Sequence, residues 1–424
     1  MHLQPDRALI PANTPAVRYL HVLISAPSQP KAAGAVRTPV DIALVLDRSG
    51  SMDGNKLTMA REAVTHAIRL LKPDDHLGVV CYDEQVTTVL DRTPATPEAK
   101  TLATKRLKSI DARGSTDLHG GWLRGAELAR AQEPRGDALS KVLLLTDGLA
   151  NHGVIDHGEM LASASRLRRE GIITSTFGVG ADFDEELLSR LATEGGGHFY
   201  FIENARQIPD LFASELGDTL EVVAREVVFE VSCDPGVEAT ILNALPSEQA
   251  AGRLRVQCGD LVADQELVLI VAIAFTGAHP EGTVSGVKCR LSDREHVLFA
   301  EPAPVPWLSV AAGQDAAQPV NRAVRLAVAA MLAERARSTA LAANRRGDFD
   351  VARRILREMV DDLRAMAPGD KGVLALIDQL HHDELAFGEI MTPLAMKGRH
   401  FDAYRIAHSR AEGGTARRKK RPEE

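Results

Sequence analysis

The chain has 424 residues, room for two or three domains at about 150 residues each. Hydrophobic residues make up 45% and charged residues 25%, which is ordinary globular composition and argues against wholesale disorder. A net charge of −8 and an aromatic content of 4% supply neither the basic surface nor the stacking platforms that a nucleic-acid partner needs.

The N-terminus, Met1-His2-Leu3-Gln4-Pro5-Asp6-Arg7, lacks the basic-then-apolar layout of a signal peptide. No apolar run reaches the roughly 18 residues of a membrane span. The expectation is a cytoplasmic protein with no membrane span. A strand-like run at 17–26 comes first. Strand and helix signals then alternate from 37 to about 220, with strands expected at 42–46, 77–82, 142–146, 172–179 and 198–202. Helices are expected near 57–71, 98–109, 118–130, 158–169, 184–193 and 205–217. The first places Leu57, Ala60, Val64, Ala67, Ile68 and Leu71 on one face and ends before Pro73. Continuous apolar strands alternating with helices predict a parallel sheet covered on both faces. The run at 86–90 reads as an antiparallel edge strand.

Within this region the first apolar strand, Val40 to Leu46, runs into Asp47-Arg48-Ser49-Gly50-Ser51. An Asp and two Ser at alternate positions can turn three oxygens toward one point, and hard divalent cations take oxygen ligands. Asp-x-Ser-x-Ser alone is also a common turn sequence. Two further oxygen clusters change the odds: Thr116 in Gly114-Ser115-Thr116-Asp117, and Asp147 at the end of the apolar run Val142 to Thr146. Asp47 and Asp147 both fall at carboxyl ends of expected strands, where open parallel sheets place their ligands.

On these residues the region 37–221 resembles a von Willebrand factor A (vWA) domain. In that family the metal-ion-dependent adhesion site (MIDAS) is Asp-x-Ser-x-Ser, then a distant Thr, then a distant Asp. The matching positions here are Asp47, Ser49, Ser51, Thr116 and Asp147. The resemblance implies a Rossmann-like doubly wound sheet and a bound Mg²⁺, with Mn²⁺ or Ca²⁺ as alternatives. It implies that the two Ser and often the Thr touch the metal, and that the Asp act directly or through water. It also implies a protein partner whose Asp or Glu completes the coordination. Few negative ligands leave the cation unsatisfied for that partner. Arg48 occupies an unspecified motif position, and the sequence leaves its direction open.

Catalysis has less support. His119, His152 and His157 fit no zinc-ligand spacing and read as surface loop residues. His381-His382-Asp383-Glu384 reads as a solvated helix face. Gly178-Val179-Gly180 and Gly195-Gly196-Gly197 lack the residues of a phosphate loop. Cys81, Cys233, Cys258 and Cys289 form no Cys-x-x-Cys pair, so reduced thiols are expected.

From 222 to 312 short alternating strands appear, at 225–232, 253–258, 267–275, 283–291 and 296–300. They suggest an antiparallel β-sandwich. The strand at 17–26 is expected to join it, so that the vWA domain is inserted in the sandwich, as in the multidomain bacterial vWA proteins this chain resembles. Residues 318–410 read as helical, with a hairpin at 321–366 that resembles one tetratricopeptide unit and is expected to pack on the sandwich. The basic tail, 411–424, is expected to be disordered. The function expected is a metal-dependent protein-binding module, not an enzyme. The alternatives are a regulatory or scaffold subunit of an AAA+ ATPase-type assembly and, behind it, a metal-dependent hydrolase. The sequence names neither the partner nor the oligomeric state.

Overall fold

The computed structural model describes residues 1–28, 39–130, 138–220, 222–410 (apart from 278, 295, 299 and 312) and 416–418. Three strands come first: β1 (His2–Pro5), β2 (Leu9–Pro11) and β3 (Ala16–Ser25). An α/β body follows: β4 (Val40–Asp47), α1 (Asn55–Leu70), β5 (His76–Tyr82), β6 (Val86–Pro94), α2 (Pro97–Lys108), α3 (Leu118–Ala129), β7 (Leu139–Thr146), α4 (His157–Arg169), β8 (Ile172–Val179), α5 (Glu185–Glu194), β9 (Gly196–Ile202) and α6 (Ile208–Leu220). Its sheet runs β6-β5-β4-β7-β8-β9, parallel except for β6, which pairs antiparallel at the edge. One core lies under α1, α2 and α6, and a second lies under α3, α4 and α5. Each of the strands β4, β5, β7 and β8 is therefore buried on both faces, which explains their nearly unbroken apolar runs.

Local chemistry fixes the helix starts. Asp117, Asp156 and Asp184 cap α3, α4 and α5 by accepting from backbone N–H groups. Helix α3 lies unusually close to the sheet. A Cβ on Gly121 would meet the Tyr82 ring at 2.4 Å, and one on Gly125 would meet Val45 at 2.2 Å.

The remaining strands are β10 (Val222–Cys233), β11 (Val237–Ile241), β12 (Ser247–Ala250), β13 (Arg253–Val262), β14 (Glu266–Phe275), β15 (Val284–Ser292) and β16 (Ala300–Val310). They form two sheets, β1-β3-β14-β11 and β12-β13-β10-β15-β16-β2, which enclose a single apolar core. β3 pairs with β14 from Ala16↔Phe275 to Ser25↔Glu266, so the α/β body is inserted between two strands of one sheet. The four cysteines are free thiols.

The strand expected at 296–300 is not formed. The amides of Val297 and Leu298 instead donate to the Asp293 carboxylate at 3.0 and 2.5 Å, which makes a turn. The strand begins at Ala300 and carries Pro302, Pro304 and Pro306. Leu308 N donates to Ala8 O, away from β15. By strand alternation the nitrogens of Pro304 and Pro306 share that side, where β2 pairs only from Leu308 onward, and Pro302 sits where the β15 register shifts, so no ladder bond is lost.

Four helices follow among the described residues: α7 (Arg322–Arg345), α8 (Phe349–Met366), α9 (Lys371–Phe387) and α10 (Pro393–Ala407). α7, α8 and α9 share a core. Val324, Val328 and Met331 of α7 cover Leu242 and Ile270 on the outer face of the sandwich. α10 reaches the α/β body, where the Tyr404 hydroxyl accepts from Phe199 N at 3.2 Å. Beneath that sheet the fully buried Glu215 meets Lys141 Nζ at 2.6 Å, the Tyr200 hydroxyl at 2.8 Å and His198 Nδ1 at 3.2 Å. Of the tail, the Arg417 carbonyl accepts from Glu266 N at 2.7 Å, and Ala416 and Arg418 form isolated bridges with Arg410 and Gln265; residues 411–415 and 419–424 lie outside the described residues. No helix among the described residues is long and apolar enough to cross a membrane.

Candidate metal centre

β4 and β7 are central neighbours, and the chain proceeds from them toward opposite sheet edges. Their carboxyl ends form the topological switch point, where α/β sheets bind ligands. Asp47 ends β4, and Asp147 follows β7; both are fully buried. The loop after β4 turns through Ser49 and Ser51, whose hydroxyls lie 3.1 Å apart. Ser51 Oγ donates to Asp147 Oδ1 at 2.9 Å. Thr116 arrives on the segment before α3, which docks on the same loop through Gly50 N to Gly114 O and Arg113 N to Arg48 O. Asn151 Oδ1 accepts from Thr116 N, and the amides of Asn151 and His152 donate to Thr116 O.

The fold thus brings together all five residues marked by the sequence. A side-chain position built on Gly148 falls 3.5 Å from Ser51 Oγ, 3.5 Å from Thr116 Oγ1 and 3.6 Å from Asp47 Oδ2. This glycine therefore leaves clear a small cradle of converging oxygens. Ser49 and Thr116 are buried, and Ser51 opens to solvent. The donor set is three neutral hydroxyls and two carboxylates, which suits a hard divalent cation. Among the described residues no three His, Cys, Asp or Glu side chains cluster to hold a metal.

Asp47 is oriented by its neighbours. Ser49 N donates to its Oδ1 at 2.8 Å, and the Thr146 hydroxyl donates to its Oδ2 at 2.6 Å. Burial pushes its pKa up to about 6, against these hydrogen bonds and helped by the nearby Asp147.

Sequence reasoning missed three partners. Thr146 fixes Asp47. Lys56 Nζ sits 2.5 Å from Asp147 Oδ2 and 2.6 Å from Asp182 Oδ2. Burial opposes the charge on Lys56, but the two carboxylates outweigh it and raise its pKa. Lys56 reads as an ordinary lysine early in a helix, and only the β4-β7-β8 order brings Asp182 beside it.

Other expectations change. Arg48 lies along buried Asp83, with Nε 3.2 Å from Oδ2, and Arg113 Nε holds the same oxygen at 2.7 Å. Burial raises the Asp83 pKa, but Arg113, the Gln85 amide and Arg48 outweigh it and hold the carboxyl below its usual range. His119 is not a surface loop residue. It is buried between α3 and α4, with Nε2 3.1 Å from Ser163 Oγ, because the ring packs edge-on to Trp122. Asp383 is not solvated either: Arg337 holds it at 2.6 Å, and Arg399 at 2.5 Å.

Residues 41–214 match the family model of the von Willebrand factor type A domain. The chain contains a vWA domain. Over 248 residues, 56% of its length, it is 26% identical to the uncharacterized protein YfbK of Escherichia coli, and it spans 42% of that protein. Over 63% of its length it is 28% identical to protein sll0103 of Synechocystis, and it spans 66% of that one. A shorter stretch of 148 residues is 34% identical to the inter-alpha-trypsin inhibitor heavy chain H3 of Bos taurus, of which it covers 16%. Among solved structures, a von Willebrand factor type A protein from Catenulispora acidiphila has a TM-score of 0.69 at 16% identity, covering 93% of this chain and 94% of that one. The ArnB paralog VWA2 from Sulfolobus acidocaldarius has a TM-score of 0.59 at 16% identity, covering 98% of each. At these identities the likeness is one of fold, and it extends beyond the vWA domain to the sandwich and helices around it.

Proposed function

We propose that the vWA domain is a non-enzymatic, cation-dependent protein-binding module. Ser49, Ser51 and Thr116 would hold a divalent cation, Mg²⁺ in the first instance, with Asp47 and Asp147 in support. When bound, the cation offers a partner Asp or Glu a strong electrostatic attachment point. The observation that carries this reading is the convergence of three neutral hydroxyls with only two carboxylates at the Gly148 cradle. Two negative charges balance one divalent ion when both Asp act on it, and every Asp that acts through water weakens that balance. A partner carboxylate is then attracted to the site.

The protein's own groups do the positioning. The Ser49 amide and the Thr146 hydroxyl fix Asp47, and Asn151 fixes the Thr116 backbone. Ser51, on the exposed rim, marks the side from which a partner approaches. A hydrolase would need a base aimed at an activated water. His119 is engaged with Ser163, and His157 lies 3.5 Å from Asp184, which leaves neither directed at the hydroxyls.

The test is a pull-down from cell extract with and without Mg²⁺, comparing wild type with Ser49→Ala, Asp47→Ala and Asp147→Ala. Capture that needs Mg²⁺, is abolished by EDTA and is lost in all three folded variants is expected. Capture that is indifferent to EDTA and to these substitutions refutes the reading.

A further inference from the structure

We propose that Lys56 is a built-in counter-cation that lowers the site's affinity for its metal, and that Asp182 is the group that draws it aside. The inference deepens the functional reading above and rests on it. The two oxygens of Asp147 are divided: Oδ1 takes the Ser51 hydroxyl, on the side of the oxygen cradle, and Oδ2 takes the Lys56 ammonium at 2.5 Å. A cation entering the cradle therefore shares a carboxylate with a lysine that already neutralises it. Like charges on one buried carboxylate repel, and the repulsion must be relieved before the ion binds well.

Relief is close at hand. Lys56 Nζ is also 2.6 Å from Asp182 Oδ2, and the Asp182 side chain is 64% exposed. An ammonium that slides toward Asp182 frees Asp147 for the ion without leaving a bare charge. The lysine has a defined track. Its stem passes over Gly180, where a Cβ would stand 3.2 Å from Cε, and the positive φ of +77° there also favours glycine. The chain just after Asp182 is fixed from outside the vWA domain. Lys397 of α10 donates to Phe183 O at 2.6 Å and pairs with Glu185, and Arg345 of α7 pairs with the same carboxylate. The segment that receives Lys56 is thus held in place by the C-terminal helices.

The experiment is titration calorimetry of the full chain with MgCl2 and MnCl2, alongside melting curves. Lys56→Met and Lys56→Gln should each bind the ion about tenfold more tightly, and Lys56→Arg should match wild type. Asp182→Asn, which leaves the ammonium wholly on Asp147, should bind about three- to tenfold more weakly. The double variant Lys56→Met with Asp182→Asn should behave as Lys56→Met alone, because Asp182 acts only through the lysine. A purely structural Lys56 would lower the melting temperature and leave the dissociation constant unchanged, which overturns the proposal. Equal weakening by Asp182→Asn in both backgrounds overturns it too. A wild type that takes up neither ion refutes the metal site itself, and this inference with it.

Discussion

Lys141→Met should unfold the vWA domain more readily by about 3 kcal/mol, the lower end of the cost of leaving a buried charge unpaired. The lower end applies because Glu215 keeps three other donors: Tyr200 OH, His198 Nδ1 and the Ser175 hydroxyl. Lys141 is 4% exposed and Glu215 not at all, so water cannot replace the lost ammonium. Removing both charges, as Lys141→Met with Glu215→Met, leaves apolar groups of similar volume. It also takes the Glu215 acceptor from the Tyr200, His198 and Ser175 donors, so a loss of about 1–2 kcal/mol remains. The double variant is therefore less unstable than the two singles combined, which marks the two sites as coupled. The assay is urea unfolding followed by tryptophan fluorescence. Trp122 sits on α3 and Trp307 in the sandwich, so a Trp307→Phe background confines the signal to the vWA domain. Lys141→Met costing under about 1 kcal/mol, or a double variant as unstable as the two singles combined, would refute the reasoning.

Burial holds His400 and His408 near a pKa of about 4, against an ordinary 6.5. Their neutral forms are favoured in the fold, so stability is complete above pH 6.5 and is lost as pH falls toward 4, by about 1 kcal/mol each after allowing for partial exposure. Both face α5, through Ser189 and Thr193, so melting between pH 7 and 4.5 should show this loss, and His400→Gln with His408→Gln should flatten it. Gly121→Ala should gain helix propensity of about 1 kcal/mol but lose about 1–3 kcal/mol by driving a methyl into the Tyr82 ring, for a net fall in melting temperature. Leu149 and Ile155 are 57% and 58% exposed on the loop after Asp147. Leu149→Ser with Ile155→Ser should weaken capture of the Mg²⁺-dependent partner and leave the ion's own dissociation constant unchanged, as pull-down and calorimetry together would show.

The fold of the vWA domain and its five motif residues were legible because each oxygen cluster follows an apolar strand, and the order of clusters fixes where they meet. Lys56 and Asp182 were not legible. They are 126 positions apart, and neither carries a local signal beyond charge. The proline-bearing β16 was hidden for a different reason. Proline is costly only where its nitrogen would have donated to a neighbour, and strand alternation relative to β15 and β2 is a tertiary fact. The short strands β1, β2 and β12 owe their form to pairing rather than to their own periodicity. Asp383 looked solvated because a histidine pair and a glutamate surround it, whereas its burial depends on arginines from α7 and α10.

The insertion has a consequence for how the chain is made. β3 emerges early in synthesis, yet its partner β14 follows roughly 250 residues later. Until then β3 can pair with β1 on one side, but its β14 side is an open, apolar edge of the kind that invites association between chains. Closing so long a loop as random coil is slow and entropically costly. A vWA domain that folds as soon as it is complete would shorten the path between the two strands before β14 appears. Stability of the inserted domain is then also a determinant of how much of the whole chain reaches its native sandwich.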